Sequence, residues 1–148
     1  MDKPVMRVEE LERFLQDEFP QINADGQAFT IDSIEPGRAV MRLNPNQRHL
    51  RPGGTVSGPT LFTLADLAAY VVILGHIGPV ALAVTTNLSI NFLRKPADGQ
   101  PLFGTGRLLK LGRRLAVVDV AITDESGMLV AQASATYSIP PDRVAVVK

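Results

Sequence analysis

Gly54-Thr55-Val56-Ser57-Gly58-Pro59-Thr60-Leu61-Phe62-Thr63-Leu64-Ala65-Asp66-Leu67-Ala68-Ala69-Tyr70, with an apolar run continuing through Leu74, is the stretch around which the rest of the chain is arranged. Ser57-Gly58-Pro59 reads as a loop entering a helix, because Pro59 supplies the fixed φ and missing N–H that suit a first turn. The spacing predicts a helix over about residues 58–75, apolar on nearly every face from Leu61 to Leu74. Such a helix is wrapped by other structure rather than laid on a surface. At about 100° per residue, Thr60, Thr63, Asp66 and Tyr70 fall on one side, so the polar groups form a single stripe with Asp66 in its middle. A carboxylate there is costly to bury alone. Two readings follow: a hydrogen-bonding or cationic partner elsewhere in the fold, or a general base or nucleophile at a cleft.

Upstream, Val8, Leu11, Phe14, Leu15 and Phe19 recur at helical spacing among charged residues, predicting an amphipathic helix over about 7–19 that Pro20 closes. Ala28 to Ile34 and Ala39 to Leu43 read as a hairpin turned by Glu35-Pro36-Gly37-Arg38. Asn44 to Gly54, with two prolines and two glycines, reads as a functional loop. Downstream, Gly75-His76-Ile77-Gly78-Pro79 breaks the helix and the pattern changes to period two. A strand from Val84 to about Leu93 sets Val84, Leu88 and Ile90 against Thr85, Asn87, Ser89 and Asn91, and Ala97-Asp98-Gly99 turns it. Leu102 to Lys110 and Leu115 to Thr123 follow, then an Asp124-Glu125-Ser126-Gly127 turn. A last strand carries Leu129, Ala131, Ala133, Ala135, Tyr137 and Ile139 on its inner face, its alanines leaving room for a helix to lie close. The tail from Pro140 to Lys148 has no strong pattern. The order describes one α+β domain over residues 1–148, a sheet wrapped around one helix. Because one sheet face does not cover a helix that is apolar all round, a second copy is expected to complete the wrapping through an isologous interface.

A chain of 148 residues with 15 basic and 15 acidic side chains is formally neutral, which argues against nucleic acid or an anionic membrane as the main partner. The absence of cysteine removes disulfides, thiolate nucleophiles and Cys-based metal sites, and His49 and His76 alone form no metal signature. The charged Met1 to Glu10 stretch lacks a signal-peptide core, and the run Leu67 to Leu74 falls short of the roughly 20 residues that span a bilayer. A soluble, cytoplasmic protein with no cofactor is expected.

In this order the elements resemble the PaaI-type acyl-CoA thioesterases of the hot-dog fold, over roughly Ser33 to Ile139. The resemblance rests on four blocks: Gly54 to Pro59, Leu61 to Asp66, Thr86-Asn87-Leu88-Ser89-Ile90-Asn91-Phe92-Leu93-Arg94, and Gly112 to Val120. It implies that Gly58 offers its backbone N–H to the thioester carbonyl, and that Asp66, eight residues later, is the catalytic carboxylate. Where the family has a His-Gly-Gly loop this chain has Ser57-Gly58-Pro59, and Arg51 replaces the loop Asn. Pro59 leaves the Gly58 N–H intact, Ser57 suits an N-cap, and Arg51 is a cation able to pair with Asp66 or bind a CoA phosphate.

The chemistry agrees with that implication. A helix N-terminus stabilises a developing oxyanion, and a carboxylate activates water or attacks directly. Eight residues of helix span about 12 Å, too far for Gly58 and Asp66 of one chain to serve one carbonyl. The two are therefore expected to meet across a homodimer, within a dimer of dimers, with Thr63, Tyr70 and Asn87 helping to line the acyl-CoA site. Arg94, Lys95, Arg113 and Arg114 have two readings, CoA phosphate ligands or solvated strand ends. Ser57 lacks the nucleophile-elbow glycines, and neither histidine sits at a triad spacing. A hot-dog dehydratase would need a histidine where Ser57 stands. The competing class is an acyl-CoA binder without turnover.

Overall fold

The computed structural model describes residues 3–24, 26–96 and 99–141. Ala97 and Asp98 of the expected turn, the first two residues, and 142–148 of the expected tail lie outside this range.

Helix α1, Val8–Glu18, begins where the Glu10 side chain accepts the Arg7 backbone N–H at 2.9 Å, and ends at Phe19, whose N–H reaches Leu15 O. It buries Leu11, Phe14 and Leu15. Strands β1 (Phe29–Glu35) and β2 (Arg38–Leu43) form the expected hairpin. Its turn uses Pro36 and then Gly37 at φ 73°, a left-handed position that glycine takes without a Cβ clash. Glu12 of α1 accepts the Ile31 N–H at 2.7 Å, occupying part of the outer edge of β1.

The expected loop is more ordered than a connection. Gln47–His49 make one 3-10 turn, and β3 (Leu50–Arg51) pairs with β4 (Thr55–Val56). His49 is a staple here: its Nδ1 accepts the Asn46 N–H at 2.9 Å, and its ring meets Phe29 edge-on.

Helix α2 runs Gly58–Ile77, two residues beyond the expected end. Gly75 is interior to it for packing, since a Cβ there would lie 2.7 Å from Ile34 Cδ1, and the true stop is Gly78 at φ 101°. His76 extends the helix usefully. Its ring bonds Val72 O and accepts the Gly37 N–H at 2.9 Å, tying the helix end to the β1–β2 turn. At 20 residues and mean hydropathy 1.7, α2 is long and apolar enough to cross a membrane, contrary to the shorter run read from sequence. In the fold 72% of that stretch is buried within the chain.

Strands β5 (Val84–Phe92), β6 (Leu102–Leu111), β7 (Leu115–Thr123) and β8 (Leu129–Ser138) complete a six-stranded antiparallel sheet in the order β1-β2-β6-β7-β8-β5. Helix α2 packs chiefly over β2, β6 and β7. It lies close against the glycines of β6: a Cβ on Gly106 would lie 2.9 Å from Ala68 O, and one on Gly104 would lie 3.2 Å from Leu64 Cγ. The alanines of β8, Ala131, Ala133 and Ala135, are fully buried.

Two strand readings are corrected by bulges, each of which inserts a residue and flips the faces beyond it. In β8 the register shifts against Ile122/Thr123, so Val130 is buried and Leu129 is exposed. In β5 a shift between Thr85 and Asn87 leaves Val84 53% exposed and turns Thr85 toward the helix. The chain also covers α2 better than expected. Only Pro59, Phe62 and Thr63, near its start, are exposed.

Candidate active site

Asp66 is half-buried on α2, and its partners are hydroxyls rather than a cation. Thr85 Oγ1 and the Tyr137 hydroxyl both donate to Asp66 Oδ1 at 2.7 Å, and the Tyr137 hydroxyl also lies 3.1 Å from the Asp66 backbone carbonyl oxygen. Oδ2 accepts no hydrogen bond from the described residues. Burial, and then the Asp66 charge, push the Tyr137 phenol well above its ordinary value. Tyr70, the next polar residue of the stripe, stacks on Tyr137 with centroids 6.1 Å apart and donates to Ala81 O at 3.1 Å. Burial and the Glu18 carboxylate push its phenol up to about 12. These groups line a cleft of about 300 Å³, walled by Leu67, Ala81 and Ala83 and closed by Glu18 and Phe19 from the end of α1.

Gly58 belongs to a different cleft. Ser57 caps α2 as expected, accepting the Thr60 N–H at 3.3 Å and bonding the Thr60 hydroxyl at 2.8 Å. Thr60, on the expected polar stripe, is thereby absorbed into the cap. The Gly58 N–H has no acceptor among the described residues and adjoins a cleft of about 590 Å³, lined by Arg51, Thr55, Pro59, Phe92, Arg94 and Lys95 among others. Phe92 closes over Gly58, where a Cβ would lie 3.3 Å from its ring. The three cations gather where a helix N-terminus already favours negative charge.

Other expected site residues are distributed differently. Arg51 makes no ion pair with Asp66 within the chain; the ion pairs among the described residues are Arg7–Glu10 and Arg38–Glu35. Thr63 is exposed and donates to Pro59 O, and Asn87 is exposed on β5 and lines neither cleft. Arg113 and Arg114 are exposed at the β6–β7 turn, where Arg114 holds Ile139 through its backbone carbonyl and its Nε. Arg94 lies beside Val130, at the other end of β8 from Ser138, a separation of roughly 25 Å at about 3.3 Å per residue. One chain therefore does not gather Arg94, Arg113 and Arg114 into one patch.

The sequence profile of the thioesterase superfamily matches residues 53–131, which hold both clefts' helix and three of the four long strands in full. The chain belongs to the thioesterase superfamily. Its architecture is the hot-dog fold, as in the crystal structure of a Silicibacter sp. TM1040 protein provisionally named a thioesterase, which is 50% identical with TM-score 0.85 over 93% of this chain and 94% of that one. A variant of the phenylacetic acid degradation protein PaaI from Thermus thermophilus matches with TM-score 0.68 at 27% identity, over 76% and 94% of the two chains. Human acyl-coenzyme A thioesterase 13 is 27% identical over 105 residues, 70% of this chain and 74% of that protein.

The sequence alone did not place Thr85, Tyr137, Phe92 or the Glu18–Phe19 wall at these clefts. A lone phenol among the inner-face alanines of β8 was the legible signal for Tyr137, since a buried hydroxyl requires a partner. Thr85 gave none, because an unseen bulge sets its direction.

Proposed function

We propose that the protein hydrolyses an acyl-CoA thioester to a free acid and CoA, with Asp66 as general base or nucleophile and the Gly58 N–H polarising the carbonyl. The carrying observation is a half-buried carboxylate with no cation paired to it among the described residues, held through one oxygen by two hydroxyls and bordering a cleft with an apolar wall. In the base-catalysed form, water attacks the carbonyl carbon as Asp66 takes its proton, and the oxyanion accepts from Gly58 N–H. Collapse breaks the C–S bond and the proton passes to the departing CoA sulfur. In the nucleophilic form, Asp66 attacks the carbonyl carbon and the C–S bond breaks, expelling CoA thiolate, which takes a proton from water; a second water then cleaves the mixed anhydride, giving the free acid and restoring the Asp66 carboxylate. The acyl group suits the cleft of Leu67, Tyr70, Ala81, Ala83 and Phe19, and the CoA phosphates suit Arg51, Arg94 and Lys95.

Because Asp66 and Gly58 border separate clefts, one site requires two copies of the chain. The outer edge of β5 has no strand beside it among the described residues, and Val84, Phe92 and Leu93 are each more than half exposed along it. Antiparallel pairing of two such edges about a two-fold near Leu88 sets the Phe92 end of one copy against the Val84 end of the other. That pairing joins the Gly58 cleft of one chain to the Asp66 cleft of the second. It also carries the second chain's Arg113–Arg114 turn toward the Arg51–Arg94–Lys95 group, which restores the expected phosphate site as a shared one.

The test is hydrolysis of a panel of acyl-CoAs, followed by thiol release. Asp66→Asn should keep the fold and lose turnover by roughly 10²–10⁴-fold. Wild-type rates in that variant would remove Asp66 from the chemistry, and an unmutated protein that binds acyl-CoAs but turns none of them over would be an acyl-CoA binder.

A further inference from the structure

Two hydroxyls converge on one oxygen of Asp66 and none on the other, an asymmetry that the hydrolytic reading does not itself require. A carboxylate's terminal torsion is soft, so an aspartate on a helix does not hold a rotation unaided. Thr85 alone fixes it poorly, sitting beside a bulge on an edge strand. Tyr137 is better placed to do so. The residue is 2% exposed and lies in strand β8, on the central side of β5, and its ring stacks against Tyr70, which is itself anchored at Ala81 O.

We propose that Tyr137 is a positioning residue whose hydroxyl, donated to Asp66 Oδ1, fixes the carboxylate so that Oδ2 is the oxygen that meets water or the thioester. The role rests on the reading of Asp66 as the reacting carboxylate. Oδ1, accepting two hydrogen bonds, is the poorer base, so the proton or the acyl carbon goes to Oδ2. Burial and the neighbouring Asp66 charge keep the phenol protonated, so the donor persists through neutral and mildly alkaline pH. The 3.1 Å approach of the same hydroxyl to the Asp66 backbone carbonyl oxygen references the side chain to its own helix.

Tyr137→Phe keeps the ring and removes the donor. It is expected to lower kcat roughly tenfold or more while KM changes less than about twofold. Because removing the donor takes a hydrogen bond from the charged form of the carboxylate, the acid limb of the kcat/KM profile should move up. A chain carrying 3-fluorotyrosine at position 137 keeps shape and hydroxyl but donates more strongly, and should move that limb down. If Tyr137→Phe does not fold, the fluorinated chain alone decides. Wild-type kcat and limb in Tyr137→Phe, a fall in kcat with an unmoved limb, or an unmoved limb in the fluorinated chain would each overturn the proposal. Asp66→Asn is measured in parallel. If it is inactive while Tyr137→Phe behaves as wild type, only the positioning role falls; if it retains turnover, the reading of Asp66 fails and the role of Tyr137 falls with it.

Discussion

Asp66 shows how a carboxylate is accommodated on an apolar helix without a counter-ion. A buried charge lacking partners is costly, and hydroxyl donors bring less desolvation with them than an arginine or lysine would. Their presence has a second consequence, because Tyr70 and Tyr137 are the only tyrosines of the chain. Both phenols are raised, each by burial first, Tyr70 to about 12 and Tyr137 further in the same direction. A group whose folded value lies above its unfolded value of 10.0 contributes stability that is whole below about pH 10. That contribution is lost as pH rises through the folded value. Near-ultraviolet absorbance of tyrosinate should therefore stay absent in the native protein past pH 10 and appear together with unfolding. A smooth titration of either tyrosine near pH 10 in folded protein would show that its hydroxyl is not held as described.

At the scale of elements, the helix lies close on the sheet where β6 carries glycine. Gly106 has ordinary backbone angles, so its requirement is space: a Cβ 2.9 Å from the Ala68 carbonyl oxygen meets backbone, which does not swing aside. Gly106→Ala should lower stability by about 1–3 kcal/mol, read from the urea midpoint, by pushing α2 off the sheet. A midpoint equal to wild type would mean that helix and sheet do not meet there. By packing over β2, β6 and β7 the helix leaves room on its β8 and β5 side, and that room is the Asp66 cleft. The end of α1 then closes the cleft with Phe19, an exposed aromatic whose apolar face borders the proposed acyl site. Phe19→Ala should widen the acyl range, seen as a lower KM for bulkier acyl-CoAs with little change for acetyl-CoA. Unchanged selectivity across the panel would put the acyl group elsewhere.

For the whole molecule, the separation of the Gly58 and Asp66 clefts makes the shared site a quantitative prediction. Gly58→Pro deletes the N–H at a helical position that tolerates proline, and Asp66→Ala deletes the carboxylate; each should be nearly inactive. Refolded together, random pairing makes about half the dimers mixed, and each mixed dimer holds one intact site of two. Roughly a quarter of wild-type activity should return. Recovery of nothing from two folded, exchanging variants would mean that the residues act within one chain or not together.

Local chemistry by itself determined much of this protein. The helix start at Ser57-Gly58-Pro59, the Pro36-Gly37 turn, the Gly127 turn at φ 88° and the inward Ala116, Val118, Val120 and Ile122 depend on neighbours a few residues away. They were legible with Asp66 and Tyr70 on one helix face. Tertiary structure decided what rests on distant or irregular pairing. Bulges in β5 and β8 inverted the faces of Thr85 and Leu129, and a one-residue insertion leaves no mark in an alternating pattern. Strand direction separated Arg94 from Arg113 and Arg114, because β5 runs antiparallel to β8 and leaves Arg94 at its Val130 end, while the β6–β7 turn lies at its Ser138 end. One of the two hydroxyls that hold Asp66 comes from Tyr137, 71 residues away. A hydrogen bond across that separation is fixed by the packing of α2 on the sheet, and sequence spacing carries no record of it.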